Sequence, residues 1–124
     1  MITGVGIDIV HIKRMEKWLL NSSLLQRYFH PEELSYAFSL GKRSAQTLAA
    51  RFAAKEAFGK AIGTGLANIN LKEILVHNEK NGKPVMKLSG TAKKAMEEAG
   101  AGKVHISLTH ESDNAVAMVV LEGV

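Results

Sequence analysis

Two carboxylates stand in surroundings that do not suit a charged side chain. Asp8 lies between Ile7 and Ile9 in an otherwise apolar strand-like segment, although aspartate is depleted from strand interiors. Glu56 lies in a long helical segment where apolar residues share its half of the helix. If the strand and the helix meet, the two carboxylates make a hard oxygen site. Such a site suits Mg²⁺, which commonly takes one or two protein carboxylates and completes its shell with phosphate oxygens and water.

Each carboxylate also has a purely structural explanation. Asp8 can accept hydrogen bonds from the backbone or from a buried arginine. Glu56 can form an exposed ion pair with Lys60, which follows it by one turn in the favourable orientation. The apolar residues on the same half of the helix count against the exposed pair, but the residues alone leave both explanations open.

Positive charge accompanies Glu56 along the same helical segment. Arg51, Lys55 and Lys60 would supply it for phosphate groups, and their mixing with apolar residues predicts that some of them are partly buried. His110 stands at the end of a predicted strand, where ligand-binding groups often lie. Taken alone, it is as readily an ordinary strand residue.

Several other chemistries lack the residues that they need. The chain has no cysteine, which removes disulfides, thiolate metal sites and cysteine nucleophiles together. It has no HExxH motif for zinc, no phosphate-binding GxxxxGK[ST] loop, and no GxSxG motif for a hydrolase. Any metal must therefore be bound by oxygen or imidazole.

Two elements must position the carboxylates. In the first strand, alternation places Val5, Ile7 and Ile9 on one face and Gly4, Gly6, Asp8 and Val10 on the other. The long helix, about residues 43–62, ends at a GTG sequence containing Gly63, and one arc of it holds Ala50, Ala53, Ala54, Ala57 and Ala61. Alanines on the helix and glycines on the strand both permit a close approach.

The remaining pattern gives the order strand, helices, hairpin, helix, hairpin. Helical periodicity covers about residues 11–20, a second apolar segment follows at 24–29, and HPEEL begins another helix that Gly41 ends. Two strands flank an NG tight turn with positive φ, a short helix covers about residues 91–99, and two alternating segments close the sequence. This order predicts an α+β fold, with a mainly antiparallel sheet packed on one long helix plus shorter helices, in a single domain of residues 1–124.

Composition narrows the class of protein. With 46% hydrophobic and 23% charged residues the chain is an ordinary globular protein, and its apolar runs are too short to span a membrane. The net charge of +4 favours anionic partners, but the basic residues are dispersed and aromatic residues are few. We therefore expect no nucleic-acid or membrane partner, and a cytoplasmic location.

Four segments together resemble the holo-acyl-carrier-protein synthase family of phosphopantetheinyl transferases. They are GVGIDIVHIKR at 4–14, ARFAAKEAFGKAIGTG at 50–65, NGKP at 81–84 and HISLTHESDNAVAMVV at 105–120. The second segment is the most specific, since it fits an aromatic residue followed by xxKEAxxK. Phe52 stands where larger relatives usually carry Trp.

The resemblance implies roles for individual residues. Asp8 and Glu56 are similar to the family's Mg²⁺ ligands, and Lys60 to the lysine that steadies the diphosphate or leaving group; these three would be the catalytic residues. Arg51, Lys55, Lys60, Gly63 and His110 would line the coenzyme A site. Arg14, with its neighbours Lys13, Lys17, Met15 and Trp18, resembles the surface that receives the acidic recognition helix of a carrier protein.

The resemblance also implies the reaction, the cofactor and the partners. Such an enzyme moves the 4'-phosphopantetheine group of coenzyme A onto a serine of apo acyl carrier protein and releases adenosine 3',5'-bisphosphate, with Mg²⁺ as cofactor. The short bacterial members of the family form homotrimers with sites between subunits. The alternative is a non-catalytic basic module that binds an acidic protein or a nucleotide and uses the two carboxylates only structurally.

Overall fold

The computed structural model describes all of residues 1–124. Its first half holds strand β1 (Ile2–His11) and helices α1 (Ile12–Trp18), α2 (Ser22–Tyr28), α3 (Pro31–Ser39) and α4 (Ser44–Ile62). Its second half holds strands β2 (Ile74–Asn78) and β3 (Pro84–Leu88), helix α5 (Gly90–Glu98), and strands β4 (Ala101–His110) and β5 (Asn114–Gly123). Short 3-10 turns at Gly41–Arg43 and Leu71–Glu73 precede α4 and β2.

The strands form two antiparallel sheets. The larger has the order β1-β5-β4, so the last strand of the chain pairs with the first, and β2 pairs with β3 in a separate hairpin. The long helix α4 packs on the three-stranded sheet, mainly against β1 and β5. The predicted α+β class, with a mainly antiparallel sheet on one long helix, is confirmed.

Small residues set the distance between α4 and β1. A Cβ added to Gly6 would overlap the carbonyl oxygen of Ala57, and one added to Gly4 would overlap that of Ala61. No larger residue fits at either glycine unless one of the two backbones moves. This close contact brings the next residue on the same face of β1, which is Asp8, beside the last two turns of α4.

Almost every side of α4 is covered. Apolar side chains from α1, α2, α3 and β2 pack around the faces that do not contact the sheet, and even Arg51 and Lys55 are buried, as the mixed pattern predicted. None of the helices combines the length and apolar character needed to cross a membrane.

The face of the larger sheet turned away from α4 is left uncovered in the single chain. On β1 this face carries Val5, Ile7 and Ile9, which are exposed and follow the alternation that the sequence predicts. Their neighbours across β5 are Val120, Met118 and Val116. We call these six residues the outer apolar face.

The turn between β2 and β3 differs from the tight NG turn that the sequence predicts. Only Gly82 has a positive φ, of 88°, while Asn81 does not. The amide of Gly82 donates to the carbonyl of Glu79, and the amide of Glu79 donates to the carbonyl of Lys83. The loop therefore has three residues, 80–82, and its last residue, Gly82, takes the left-handed conformation; this is one residue more than in a two-residue turn.

Candidate active site

Asp8 and Lys60 form an ion pair at the contact between β1 and α4. The ammonium of Lys60 donates to the Oδ1 atom of Asp8 at 2.9 Å and to the carbonyl of Ile7 at 3.1 Å. The side chain of Asp8 is 18% exposed, whereas that of Lys60 is 55% exposed. Asp8 therefore has a strong partner, yet the pair opens to solvent on the lysine side.

Glu56 lies one turn before Lys60 on α4 and is partly buried. Burial raises the pKa of its carboxyl group, and the negative charge of Asp8 raises it further, while Arg14 and Lys60 act in the opposite direction. The charges of the two carboxylates therefore act on each other across the contact between β1 and α4. Lys60 pairs with Asp8 and not with Glu56, so the exposed helical ion pair considered from the sequence does not form.

The donor set at this place fits Mg²⁺. Asp8 and Glu56 supply two carboxylates, and no cluster of three or more His, Cys, Asp or Glu side chains exists that could enclose a metal ion. A cation held here must take its other ligands from water or from a phosphate-bearing molecule. That arrangement is the one magnesium favours in phosphate-transferring proteins.

A second feature is a cavity of about 300 Å³ beside the start of α4. It lies between the end of α3, the β2–β3 loop and the end of β4, and Arg43, Gln46, Arg51 and His110 contribute polar side chains to its wall. The Nε2 atoms of Gln46 and His110 lie 3.0 Å apart. The wall thus combines two guanidinium groups with a histidine whose ring is held by a neighbour.

Arg51 is held firmly in the cavity wall. Only 4% of the residue is exposed, and its guanidinium lies over the ring of Tyr36, 4.9 Å from the ring centre. Burial lowers the pKa of Arg51, and the charge of Glu33 opposes that shift. Its buried Nε atom has no hydrogen-bond partner. A buried, incompletely satisfied guanidinium in a cavity wall is suited to an anionic ligand.

Lys55 is buried and does not line the cavity, although the resemblance placed it in the coenzyme A site. Its side chain has no exposed surface, and its ammonium donates to Glu33 and to the carbonyl of Leu71, both at 2.7 Å. Burial lowers the pKa of Lys55, and Glu33 opposes the shift. The ammonium therefore cannot reach a phosphate unless this buried pair opens.

The basic residues of α1 lie on the surface. Lys13, Arg14 and Lys17 are exposed, and Trp18 is partly exposed. Met15 is fully buried in the core and cannot belong to this surface, because helical spacing turns it inward. Gly63 ends α4 with φ of 87°, which is the stop that the GTG sequence predicts, and it lies exposed one turn beyond Lys60.

Three residues that organise the site were not identified from the sequence. They are Glu33, which pairs with Lys55; Tyr36, which supports Arg51; and Gln46, which contacts His110. Glu33 suited the positive end of α3 and does bond the amide of His30 there. The signal for a further role was Lys55 itself, since a lysine buried in a helix needs a carboxylate partner.

The chain is similar to known proteins over almost its whole length. Residues 4–119 match the family model described as the 4'-phosphopantetheinyl transferase superfamily. A protein of Treponema denticola named holo-(acyl-carrier-protein) synthase is 55% identical over 99% of this chain and 100% of its own length. A protein of the same name from Treponema pallidum is 50% identical over 99% of this chain and 98% of its own length.

Solved structures of such synthases have the same fold over almost the whole chain. The crystal structure of the synthase from Neisseria meningitidis matches with a TM-score of 0.88 and 38% identity, covering 98% of this chain and 99% of that one. The synthase from Bacillus anthracis, solved in complex with CoA (3',5'-ADP), matches with a TM-score of 0.83 and 38% identity, covering 100% and 99%. The similarity therefore extends over both the carboxylate pair and the cavity.

Proposed function

Since the chain belongs to the 4'-phosphopantetheinyl transferase superfamily, we propose that it carries out the reaction of a holo-(acyl-carrier-protein) synthase. It transfers the 4'-phosphopantetheine group of coenzyme A to a serine of apo acyl carrier protein and releases adenosine 3',5'-bisphosphate. The structural observation that carries the proposal is the meeting of Asp8, Glu56 and Lys60 across the close contact of β1 with α4.

Asp8 and Glu56 would hold the magnesium ion. When bound, Mg²⁺ neutralises charge on the diphosphate of coenzyme A and makes the phosphorus easier to attack. Lys60 adds a positive charge beside the leaving oxygen. Its hydrogen bonds to Asp8 and to the carbonyl of Ile7 fix the ammonium before the substrate arrives.

The cavity beside α4 would hold the adenosine and phosphate end of coenzyme A. Arg51 and His110, which the resemblance assigns to the coenzyme A site, both contribute to its wall, and Arg43 adds a further positive charge. The guanidinium of Arg51, fixed over the ring of Tyr36, gives this wall a positive charge for a phosphate group. Gly63, beyond the end of α4, leaves room near Lys60 for the diphosphate.

The transfer step is a displacement at phosphorus. The serine hydroxyl oxygen of the carrier protein forms a bond to the phosphorus nearer the pantetheine, and the bond from that phosphorus to the bridging oxygen breaks. The electron pair leaves with adenosine 3',5'-bisphosphate. The serine proton has two possible acceptors at the site, Glu56 or a water molecule, and the raised pKa of Glu56 suits a proton acceptor.

Mass spectrometry separates this function from the alternative of a non-catalytic basic module. We expect that the protein, incubated with coenzyme A, Mg²⁺ and an apo carrier protein, adds one 4'-phosphopantetheine mass to the carrier. A carrier whose acceptor serine is replaced by alanine should gain nothing. Binding of carriers without any mass gain, across several carriers, would leave only the binding module.

The carrier protein would dock on α1. Lys13, Arg14 and Lys17 present positive charge to solvent, none of them takes part in the three ion pairs of the chain, and Trp18 lies beside them. An acidic helix approaching this surface would be attracted at long range and oriented at short range. The charge of Arg14 also reaches Glu56, so the surface adjoins the carboxylate pair.

The outer apolar face supports a homotrimer with sites between subunits. Four of its six apolar residues are exposed in the single chain, and three of these are more than half exposed, such as Ile7 at 58% and Ile9 at 61%. A patch of this kind marks an interface more often than a free surface. Ile7 and Ile9 flank Asp8, so a subunit covering this face would border the carboxylate site.

Sedimentation tests the assembly. We expect the protein to sediment at three times its 13.4 kDa chain mass. Met118→Glu should dissociate the trimer, because it places a charge in the centre of the outer apolar face. Leu20→Glu, at a residue that is 90% exposed after α1, should not. A wild-type protein that sediments as a monomer while fully active would contradict the proposed assembly.

A further inference from the structure

Arg14 occupies a corner between two aromatic rings. Its guanidinium carbon lies 5.2 Å from the ring centre of Trp18 and 5.2 Å from that of Phe52. The two rings are 5.0 Å apart and meet at 71°, so each presents a surface to the same cation. Both distances are within the range at which a guanidinium is attracted to the face of a ring.

The aromatic corner is itself fixed by its neighbours. The ring of Trp18 stacks on that of Tyr28 at 5.3 Å with an angle of 26°, and Tyr28 also contacts Phe52 at 6.0 Å. Phe52 is buried in α4, one turn before Glu56. Helices α1, α2 and α4 thus meet around one cluster, and Arg14 closes its exposed side.

Arg14 forms no ion pair within the chain, although its charge acts on the carboxyl group of Glu56. The three ion pairs are formed by Lys55, Lys60 and His105, and none involves Arg14. Lys13 and Lys17, its neighbours on α1, are exposed and contact no ring. Among these three basic residues, Arg14 alone is held against aromatic rings, and its guanidinium is outside any ion pair.

We infer that Trp18 is a positioning residue that acts through Arg14, holding its guanidinium ready for an acidic surface of the carrier protein. The inference rests on the proposed function, since it deepens the role of the α1 surface. A free arginine loses much rotational freedom when it binds, whereas one already held between rings loses less. This role differs from the direct contact with the carrier protein that the resemblance implies for Trp18, and mutation can separate the two.

A double-mutant cycle on Trp18 and Arg14 tests the inference. We expect Trp18→Leu to raise the KM for the carrier protein about fivefold, the size of one lost cation–ring contact. The kcat and the KM for coenzyme A should stay unchanged, and Trp18→Phe should keep most of the wild-type affinity. In an Arg14→Ala background, Trp18→Leu should have no further effect on the KM, because the group on which it acts is gone.

The outcomes separate the inference from the function on which it rests. If Trp18→Leu still raised the KM in the Arg14→Ala background, Trp18 would contact the partner itself and the positioning role would be wrong. If Arg14→Ala left the KM of an active enzyme unchanged, the docking surface would be misplaced. Arg27→Ala is the matched control: it removes the same charge from α2, where the guanidinium lies 6.0 Å from the ring centre of Tyr28, and it should change little.

Fluorescence gives an independent measurement, because Trp18 is the single tryptophan of the chain. Arg14→Ala should shift the emission of the free protein, since it removes a cation from the ring, whereas Arg27→Ala should not. Identical spectra for wild type and Arg14→Ala would show that the contact is absent in solution. That result would overturn the inference without affecting the proposed reaction.

Discussion

Replacement of Asp8 by asparagine is expected to lower kcat/KM at least 100-fold, a loss of about 2.7 kcal/mol of transition-state stabilisation. Asparagine keeps the shape of the side chain but removes one of the two negative charges proposed to hold magnesium. It also leaves Lys60 without its ionic partner at 2.9 Å, so the ammonium loses its fixed position. Steady-state kinetics with saturating carrier protein and varied Mg²⁺ measure the effect.

Stability should hardly change in the same variant. An ion pair whose lysine is 55% exposed contributes less than about 1 kcal/mol to folding. The loss of activity should therefore occur in a folded protein, with a shifted Mg²⁺ dependence. Glu97→Gln, on the exposed surface of α5, makes the same change of charge away from the site and serves as the control. Full activity in both Asp8→Asn and Glu56→Gln would show that these residues are not the ligands.

We also expect the activity to depend on pH through the carboxyl group of Glu56. Because burial and Asp8 raise the pKa of Glu56, this carboxyl group takes up its proton at a higher pH than an ordinary glutamate. Below that pH the site loses a negative charge, so the proposed binding of Mg²⁺ should weaken. In Asp8→Asn the repulsion is gone, so the pKa of Glu56 should move back towards the ordinary value.

The residue patterns of single strands and helices predicted the contact between β1 and α4, at which the candidate site lies. Strand alternation placed Gly4, Gly6 and Asp8 on one face, and helical periodicity placed Ala57 and Ala61 on one arc. Those two surfaces are the ones that meet. Both predictions depend only on the geometry of single elements, which is why they could be made without knowing how the elements pack.

The partners of the charged residues could not be predicted in the same way. Lys60 follows Glu56 by one turn, yet it binds Asp8, which is 52 residues away in the sequence. Lys55 binds Glu33, which is 22 residues away. Because α4 is covered on nearly every side, its charges do not form a separate exposed face, and its pattern does not indicate which charge is buried and which is exposed. That choice is made by the elements that pack around the helix.

The difference between the two lysines has a consequence for stability. Lys55→Met is expected to destabilise the protein by about 3–5 kcal/mol, because it leaves the buried carboxylate of Glu33 without its positive partner. Glu33 is 1% exposed and would keep only the amides of His30 and Val76, at 2.9 and 3.0 Å. A domain of this kind is stable by about 5–15 kcal/mol in total, so the loss should be evident in urea denaturation.

Two further variants separate a broken ion pair from the loss of a well-packed lysine. Glu33→Gln combined with Lys55→Met removes both charges while keeping similar shapes, and it should be more stable than Lys55→Met alone. Lys60→Met removes an exposed lysine from the same helix, so it should cost little stability while lowering activity. The single variant Glu33→Gln completes the comparison. If the double variant lost as much free energy of unfolding as Lys55→Met and Glu33→Gln together, Glu33 and Lys55 would not be coupled. Glu33 of α3 binds both Lys55 of α4 and the amide of Val76 in β2. Without coupling between Glu33 and Lys55, this buried pair would not stabilise the packing of α3 and β2 against α4.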